Sequence, residues 1–188
     1  MATLPDSPLT EEQYLRIERE AETKSEFHDG RMFAMAASSV NHSLLGACIG
    51  SLLCYQMPAD SRVFSCDLRI KASTLYTYAD CCVISGMPEC FGDQNDVVLN
   101  PLLIVEVLSP STEGYDRGKK FEMYRTIESL REYLLIHQDR RHVEHYSRQD
   151  DGSWVLRDYS GAEATVTIAR LNAKISLGEL YASALDLD

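Results

Sequence analysis

Glu106 stands inside Leu102-Leu103-Ile104-Val105-Glu106-Val107-Leu108, an aliphatic run with the length and β-branched content of a strand buried on both faces. An ionised carboxylate in such a place is costly unless it is paired, hydrogen-bonded or bound to a metal. A second acid repeats the pattern, because Asp80 interrupts the core-like run Tyr78-Ala79-Asp80-Cys81-Cys82-Val83-Ile84 near its start. Two neighbouring strands would bring these acids together, and a divalent cation would relieve their repulsion. An oxygen donor set of this kind suits Mg²⁺, with Mn²⁺ as a substitute, which takes one or two carboxylates and fills its other positions with water, a carbonyl and substrate phosphate. Phosphodiester cleavage also wants a cation beside the attacking water and the crowded phosphorus. Lys119 and Lys120 supply that charge type in the first turn of a helix that follows the Glu106 strand after a short loop.

The elements that must hold these residues follow from periodicity and punctuation. Thr10-Glu11-Glu12-Gln13 has the capping-box pattern and predicts a helix from Glu11 to Thr23, with Tyr14, Ile17 and Ala21 at three- and four-residue spacing. Asp29-Gly30 between Glu26 and Phe33 predicts a hairpin that carries Glu26 on its first strand. A long helix is predicted from Asn41 to Tyr55, closed by Pro58, with Leu44, Leu45, Cys48, Ile49, Leu52 and Leu53 facing a sheet. Strands are predicted over 63–71, 78–85 and 102–108, a helix over 116–126, then strands over 132–137, 143–147, 154–159 and 165–168, with a last helix over 177–185. Helices alternating with strands and then a run of hairpins imply an α/β or α+β chain built on a mixed central sheet. The expected organisation is an N-terminal tail over residues 1–9 and one domain over 10–188.

Composition narrows the function classes. At 188 residues, with 45% hydrophobic and 25% charged residues, the chain has the make-up of a soluble globular protein. It contains no apolar segment near the roughly 20 residues of a membrane helix, and Asp6, Glu11 and Glu12 stand where a signal peptide would be basic, so the expected compartment is the cytoplasm. A net charge of -11 argues against a broad nucleic-acid-binding surface. Local basic clusters remain at Arg117, Lys119, Lys120 and Arg125 and at Arg140 and Arg141. The six cysteines show no C-x-x-C pair and are expected to be reduced thiols packed as small hydrophobes. His142-x-x-His145 would be a metal pair only on a helix; on the predicted strand its side chains face opposite ways. Walker, G-x-G-x-x-G and G-x-S-x-G motifs are absent.

Glu26-Phe-His-Asp-Gly, Asp67-Leu-Arg-Ile-Lys, Tyr76-Thr-Tyr-Ala-Asp80, Leu103-Ile-Val-Glu106-Val-Leu-Ser-Pro-Ser-Thr112 and Asp116-Arg-Gly-Lys-Lys120-Phe-Glu-Met-Tyr124 together resemble the Uma-two restriction-endonuclease family. This domain of unknown function is placed in the PD-(D/E)XK nuclease superfamily, and the resemblance spans roughly residues 10 to 185. It implies a restriction-endonuclease-like core, a mixed central β-sheet flanked by helices. Asp80 and Glu106 would be the two metal-binding acids, and Glu26 an additional acid facing the site. Leu108 occupies the position of the lysine usually found two residues after the second acid, and the resemblance assigns that role to Lys120. Ala79 replaces the usual proline before the first acid, which removes a backbone constraint but no catalytic atom. His42 and Asp67 are implied in supporting positions.

Each assignment has a structural competitor. Glu106 could be one half of a buried ion pair, Asp80 a strand-entry cap, Lys120 a solvated helix-start lysine, Glu26 a cross-strand partner of Arg31, and His42 an ordinary helix-start histidine. The resulting expectation is a Mg²⁺-dependent endonuclease that hydrolyses DNA, with a homodimer as the arrangement that would cut both strands. Its competitors are a catalytically inactive nuclease-fold module that binds nucleic acid or protein, and a structural protein whose buried acids are ion pairs.

Overall fold

Helix α1 (Glu11–Glu20) starts on the expected capping box: Thr10 Oγ1 accepts from the Gln13 amide at 3.2 Å, and Gln13 Oε1 accepts from the Thr10 amide at 2.8 Å. A computed structural model describes residues 8–185, so the expected tail lies outside the described residues up to residue 7. The helix stops short of Thr23 because Ala21 turns to extended backbone. Its buried side chains are Tyr14, Leu15 and Glu18, while Ile17 is exposed, so the buried stripe is rotated from the one expected. Strands β1 (Ser25–His28) and β2 (Arg31–Ala34) form the Asp-Gly hairpin, with Asp29 and Gly30 both at positive φ as a type I′ turn requires. Glycine is needed here twice over, since a Cβ on Gly30 would also lie 2.6 Å from Pro8 Cβ.

Helix α2 (Val40–Gln56) buries Leu45, Ile49 and Leu53. Two expected strands are then each broken in two. The 63–71 segment becomes β3 (Ser61–Ser65) and β4 (Arg69–Ala72), and the 78–85 segment becomes β5 (Leu75–Tyr78) and β6 (Cys81–Ser85). The breaks have a common cause. Strands β3 and β6 belong to one sheet and β4 and β5 to another, so the chain leaves the β3 and β6 sheet at Cys66–Leu68 and returns to it at Ala79–Asp80. A composition uniformly suited to strands does not mark where such a crossing falls.

The remaining elements are β7 (Val97–Val98), β8 (Leu103–Leu108), α3 (Glu113–Tyr115), a π-helical turn over Asp116–Lys120, α4 (Phe121–Tyr124), β9 (Glu132–His137), β10 (His142–Arg148), β11 (Trp154–Ser160), β12 (Thr165–Ile168), β13 (Ala173–Ser176) and α5 (Leu177–Leu180). The last helix is a single turn rather than the expected 177–185 segment. The structure is mixed α+β, with two large sheets where one central sheet was expected. The first has the order β2-β1-β5-β4-β7 and the second β11-β10-β9-β8-β6-β3, each with one parallel pair.

Strand β8 lies inside the second sheet, parallel to β9 and antiparallel to β6, and all six of its residues are buried. Alternation divides them. Leu103, Val105 and Val107 pack with α2 and the β12–β13 hairpin, whereas Ile104 and Leu108 pack toward the first sheet and helix α4. Glu106 shares the second face. Leu108, where a lysine was sought, is a 3% exposed member of that cluster. Of the cysteines, Cys81 and Cys82 are buried as expected, but Cys54 and Cys66 are exposed; all six are free thiols. Among the described residues no helix is long and apolar enough to cross a membrane.

Candidate active site

Asp80 and Glu106 meet through strand register. Strands β6 and β8 pair with Cys81 opposite Val105, and one further step along that register sets Asp80 opposite Glu106. Asp80 is anchored there by its own carboxylate: Oδ2 accepts the Val107 amide at 2.7 Å. His42 Nε2, on the first turn of α2, lies 3.4 Å from the same oxygen. Asp80 sits at the return from one sheet to the other, so it bonds to the neighbouring strand rather than capping its own.

Lys120 reaches the site from the π turn. Its ammonium is 2.9 Å from Glu106 Oε1, 3.2 Å from Glu26 Oε1 and 3.7 Å from Asp116 Oδ1. Lys120, Glu106 and Asp116 are each 4% exposed, which rules out the solvated helix-start reading for the lysine. Tyr124 donates to Glu106 Oε1 at 2.7 Å. Glu26 accepts from the Thr77 hydroxyl and stands opposite Phe33, not Arg31, whose partner is His28. Glu26, Asp80, Glu106, Asp116, Lys120 and His42 all line one cleft of about 400 Å³.

The electrostatics leave this cleft short of positive charge. Burial pushes the Glu106 carboxyl up to about 8, with the charges of Asp116 and Asp80 adding to the effect and Lys120 opposing it. Burial also raises Asp116. Burial works against the charged form of Lys120, but Glu106, Glu26 and Asp116 outweigh it and hold the ammonium well above its usual range. Four carboxylates therefore face one cation, and the deficit is met by a proton on Glu106 or by a further cation. Carboxylate oxygens, one on β8 and one at the entry to the neighbouring β6, are the donor type that Mg²⁺ takes.

Asp67 does not join this group. Its exposed carboxylate pairs with Lys24, and it lies outside the cleft lining because the 66–68 crossing carries it to the surface. Asp116 and Tyr124 are the members that sequence reasoning missed. Their signal was the spacing Asp116, Lys120, Tyr124, which repeats every four residues and so presents three polar groups on one helical face. The π turn keeps that face aligned, since its wider winding brings residues four apart closer to register than an α-helix does.

The two histidines at 142 and 145 do face opposite ways on β10. His145 bonds to buried Glu132 at 2.8 Å, while His142 approaches His137 and Glu144 closely enough for the three to share a metal. Arg117 already occupies Glu144, donating to both carboxylate oxygens at 2.7–3.2 Å and approaching His137 Nε2 at 3.0 Å. A second cation there would be opposed by that guanidinium.

Comparison with known proteins gives this arrangement its relatives. A family profile described as "Putative restriction endonuclease" (Uma2) matches residues 11–178. An uncharacterised protein of Synechocystis sp. is 39% identical over 161 residues, covering 84% of this chain and 91% of that one. A second from the same organism is 34% identical over 169 residues, covering 87% and 88%. Among solved structures, the crystal structure of a protein from Anabaena variabilis, described as a putative nuclease belonging to DUF820, superposes with a TM-score of 0.74. That match covers 95% of this chain and all of the other at 20% identity, a likeness of fold. With a profile match over nearly its whole length and two full-length relatives above 30% identity, the chain belongs to the Uma2 family.

Proposed function

We propose that the protein is a Mg²⁺-dependent endonuclease that hydrolyses DNA phosphodiester bonds, with Asp80 and Glu106 as metal ligands, Lys120 as the catalytic cation and Glu26 assisting. The observation that carries this reading is the convergence of the Asp80 and Glu106 carboxylates and a buried ammonium on one cleft. Held by Asp80 and Glu106, Mg²⁺ or Mn²⁺ would supply the positive charge the cleft lacks and offset negative charge gathering on the phosphate.

The side chains supply the rest. Asp80 is oriented by the Val107 amide and Glu106 by the Tyr124 hydroxyl, so both carboxylates are set before substrate arrives. The Lys120 ammonium would donate to a non-bridging phosphate oxygen or to the attacking water, held in place by Glu26 and Asp116. Water adds to phosphorus as the bond to the leaving oxygen breaks, and that oxygen takes a proton from solvent water. Glu26, which pairs with Lys120, would take the water's proton. His42 steadies Asp80 from α2.

Purified protein with Mg²⁺ or Mn²⁺ is expected to nick plasmid DNA, and Glu106→Gln and Lys120→Ala are each expected to lower the rate by about a hundredfold or more. Cleavage that persists in both variants would assign the activity to a contaminant. Saturable Mn²⁺ binding with no cleavage of any nucleic acid would favour the inactive binding module instead. One site cuts one strand at a time, so rapid linearisation would call for a homodimer.

A further inference from the structure

Resting on the nuclease reading above, we propose that the cleft takes a single, unpaired strand of DNA and stacks one of its bases on Phe33. Three independent observations lead there. The first is charge. Among the described residues Lys120 is the one lysine or arginine lining the cleft, and it is already committed to three carboxylates, while the chain as a whole carries -11. Lys119, beside Lys120 in the chain, is exposed and outside the cleft lining, and Arg117 on the same segment is held by Glu113 and Glu144. A duplex brings one negative charge per about 1.7 Å of axis and a single strand about half that density, so the acidic cleft opposes a duplex far more strongly.

The second observation is the chemistry of the walls. One wall runs from Phe33 to Ser39 through seven consecutive exposed residues, none of them charged, and the other offers the hydroxyls of Ser109, Ser111 and Thr112. An apolar wall facing a hydroxyl wall suits a base on one side and a sugar-phosphate on the other. At about 400 Å³ the cleft is at the scale of a small-molecule site, enough for a nucleotide unit.

The third is Phe33 itself. It is 50% exposed, on the edge strand of its sheet, directly opposite Glu26 across the β1–β2 ladder, so its side chain shares the face of Glu26 and lines the cleft with the other acids. Met35, 38% exposed, extends the same wall. Bases stack on exposed aromatic rings whatever their sequence, and affinity for single strands comes in large part from such stacking.

The test uses one fluorescent oligonucleotide, single-stranded or annealed to its complement, and methyl 4-nitrophenyl phosphate as a small phosphodiester that carries no nucleobase. With Mn²⁺, the single strand is expected to show a kcat/KM at least about tenfold above the duplex. Phe33→Ala is expected to raise KM for the strand about tenfold while leaving kcat and hydrolysis of the small diester unchanged, and Phe33→Trp to restore KM. Equal or faster cutting of the duplex, or an unchanged KM in Phe33→Ala, would overturn the proposal. So would an equal loss on strand and small diester, which would make Phe33 a structural residue. Anisotropy of the labelled strand in EDTA separates the two readings. If the wild type cuts neither DNA nor the small diester, the nuclease reading fails, and a tenfold weaker strand affinity in Phe33→Ala still decides the stacking site.

Discussion

Glu106 is the residue on which the acidic cleft turns, because its protonation and its neighbours' charges are one problem. Its carboxyl is raised from the ordinary range to about 8 by burial and by Asp116 and Asp80. A folded state that binds this proton more tightly than the unfolded chain is most stabilised by it below about pH 4.5, and loses that contribution as pH rises through about 8. The metal-free protein should therefore lose stability between pH 5 and 8, by up to about 1.4 kcal/mol per pH unit from this group. Thermal melts across that range, with and without Mg²⁺, check it; the metal should flatten the slope, as should Glu106→Gln. Tyr124→Phe removes the hydroxyl that donates to Glu106 and should cost about 1–2 kcal/mol in urea unfolding, with a lower cleavage rate because the carboxylate is no longer oriented.

At the scale of elements, the site depends on three junctions more than on the interiors of strands and helices. The crossing at Ala79–Asp80 aims one acid, the π turn aims Asp116 and Lys120, and the Asp29-Gly30 turn sets the register that puts Glu26 and Phe33 opposite each other. Gly30→Ala should destabilise the protein by at least about 1 kcal/mol, since it meets both a positive φ and the Pro8 side chain. Gly118 lies inside the π turn with open space where a Cβ would go, so Gly118→Ala should add about 0.5–1 kcal/mol by helix propensity alone. Chemical denaturation of both variants reads these opposite signs. The capping box, the Asp-Gly hairpin and the β8 strand were legible because each is set by local chemistry: a side-chain cap, a positive-φ turn and an aliphatic run. The two broken strands were not, because their breaks are set by which sheet each half joins.

For the whole molecule, two packed regions flank the second sheet, and the site is placed by the boundary between them. One joins α2 and the β12–β13 hairpin to the odd-numbered face of β8, and the other joins the first sheet and α4 to the face that carries Glu106. Leu45→Ala, in the first region and away from the cleft, should cost about 2–5 kcal/mol of stability while leaving turnover per folded molecule unchanged. The net charge makes a separate prediction. With few cations available to meet phosphates, log affinity for DNA should fall with log salt at a slope shallower than about -3, measured by anisotropy at several salt concentrations. A steep slope would point to a basic surface outside the cleft.

By itself the sequence determined that a carboxylate interrupts the β8 strand otherwise built for a core, that a second acid stands in another core-like run, that a lysine follows on a helix, and that the segments quoted for the family resemblance hold them in order. Those are matters of residue type and short spacing, which local chemistry and pattern carry. Only the tertiary structure decided that Asp116 and Tyr124 complete the group, that Asp67 leaves it for Lys24, and that Phe33 lines the same cleft as the acids. Which side chains meet depends on strand register, on the sheet each segment joins and on how a helix is wound, and these are set by packing between residues far apart in the chain.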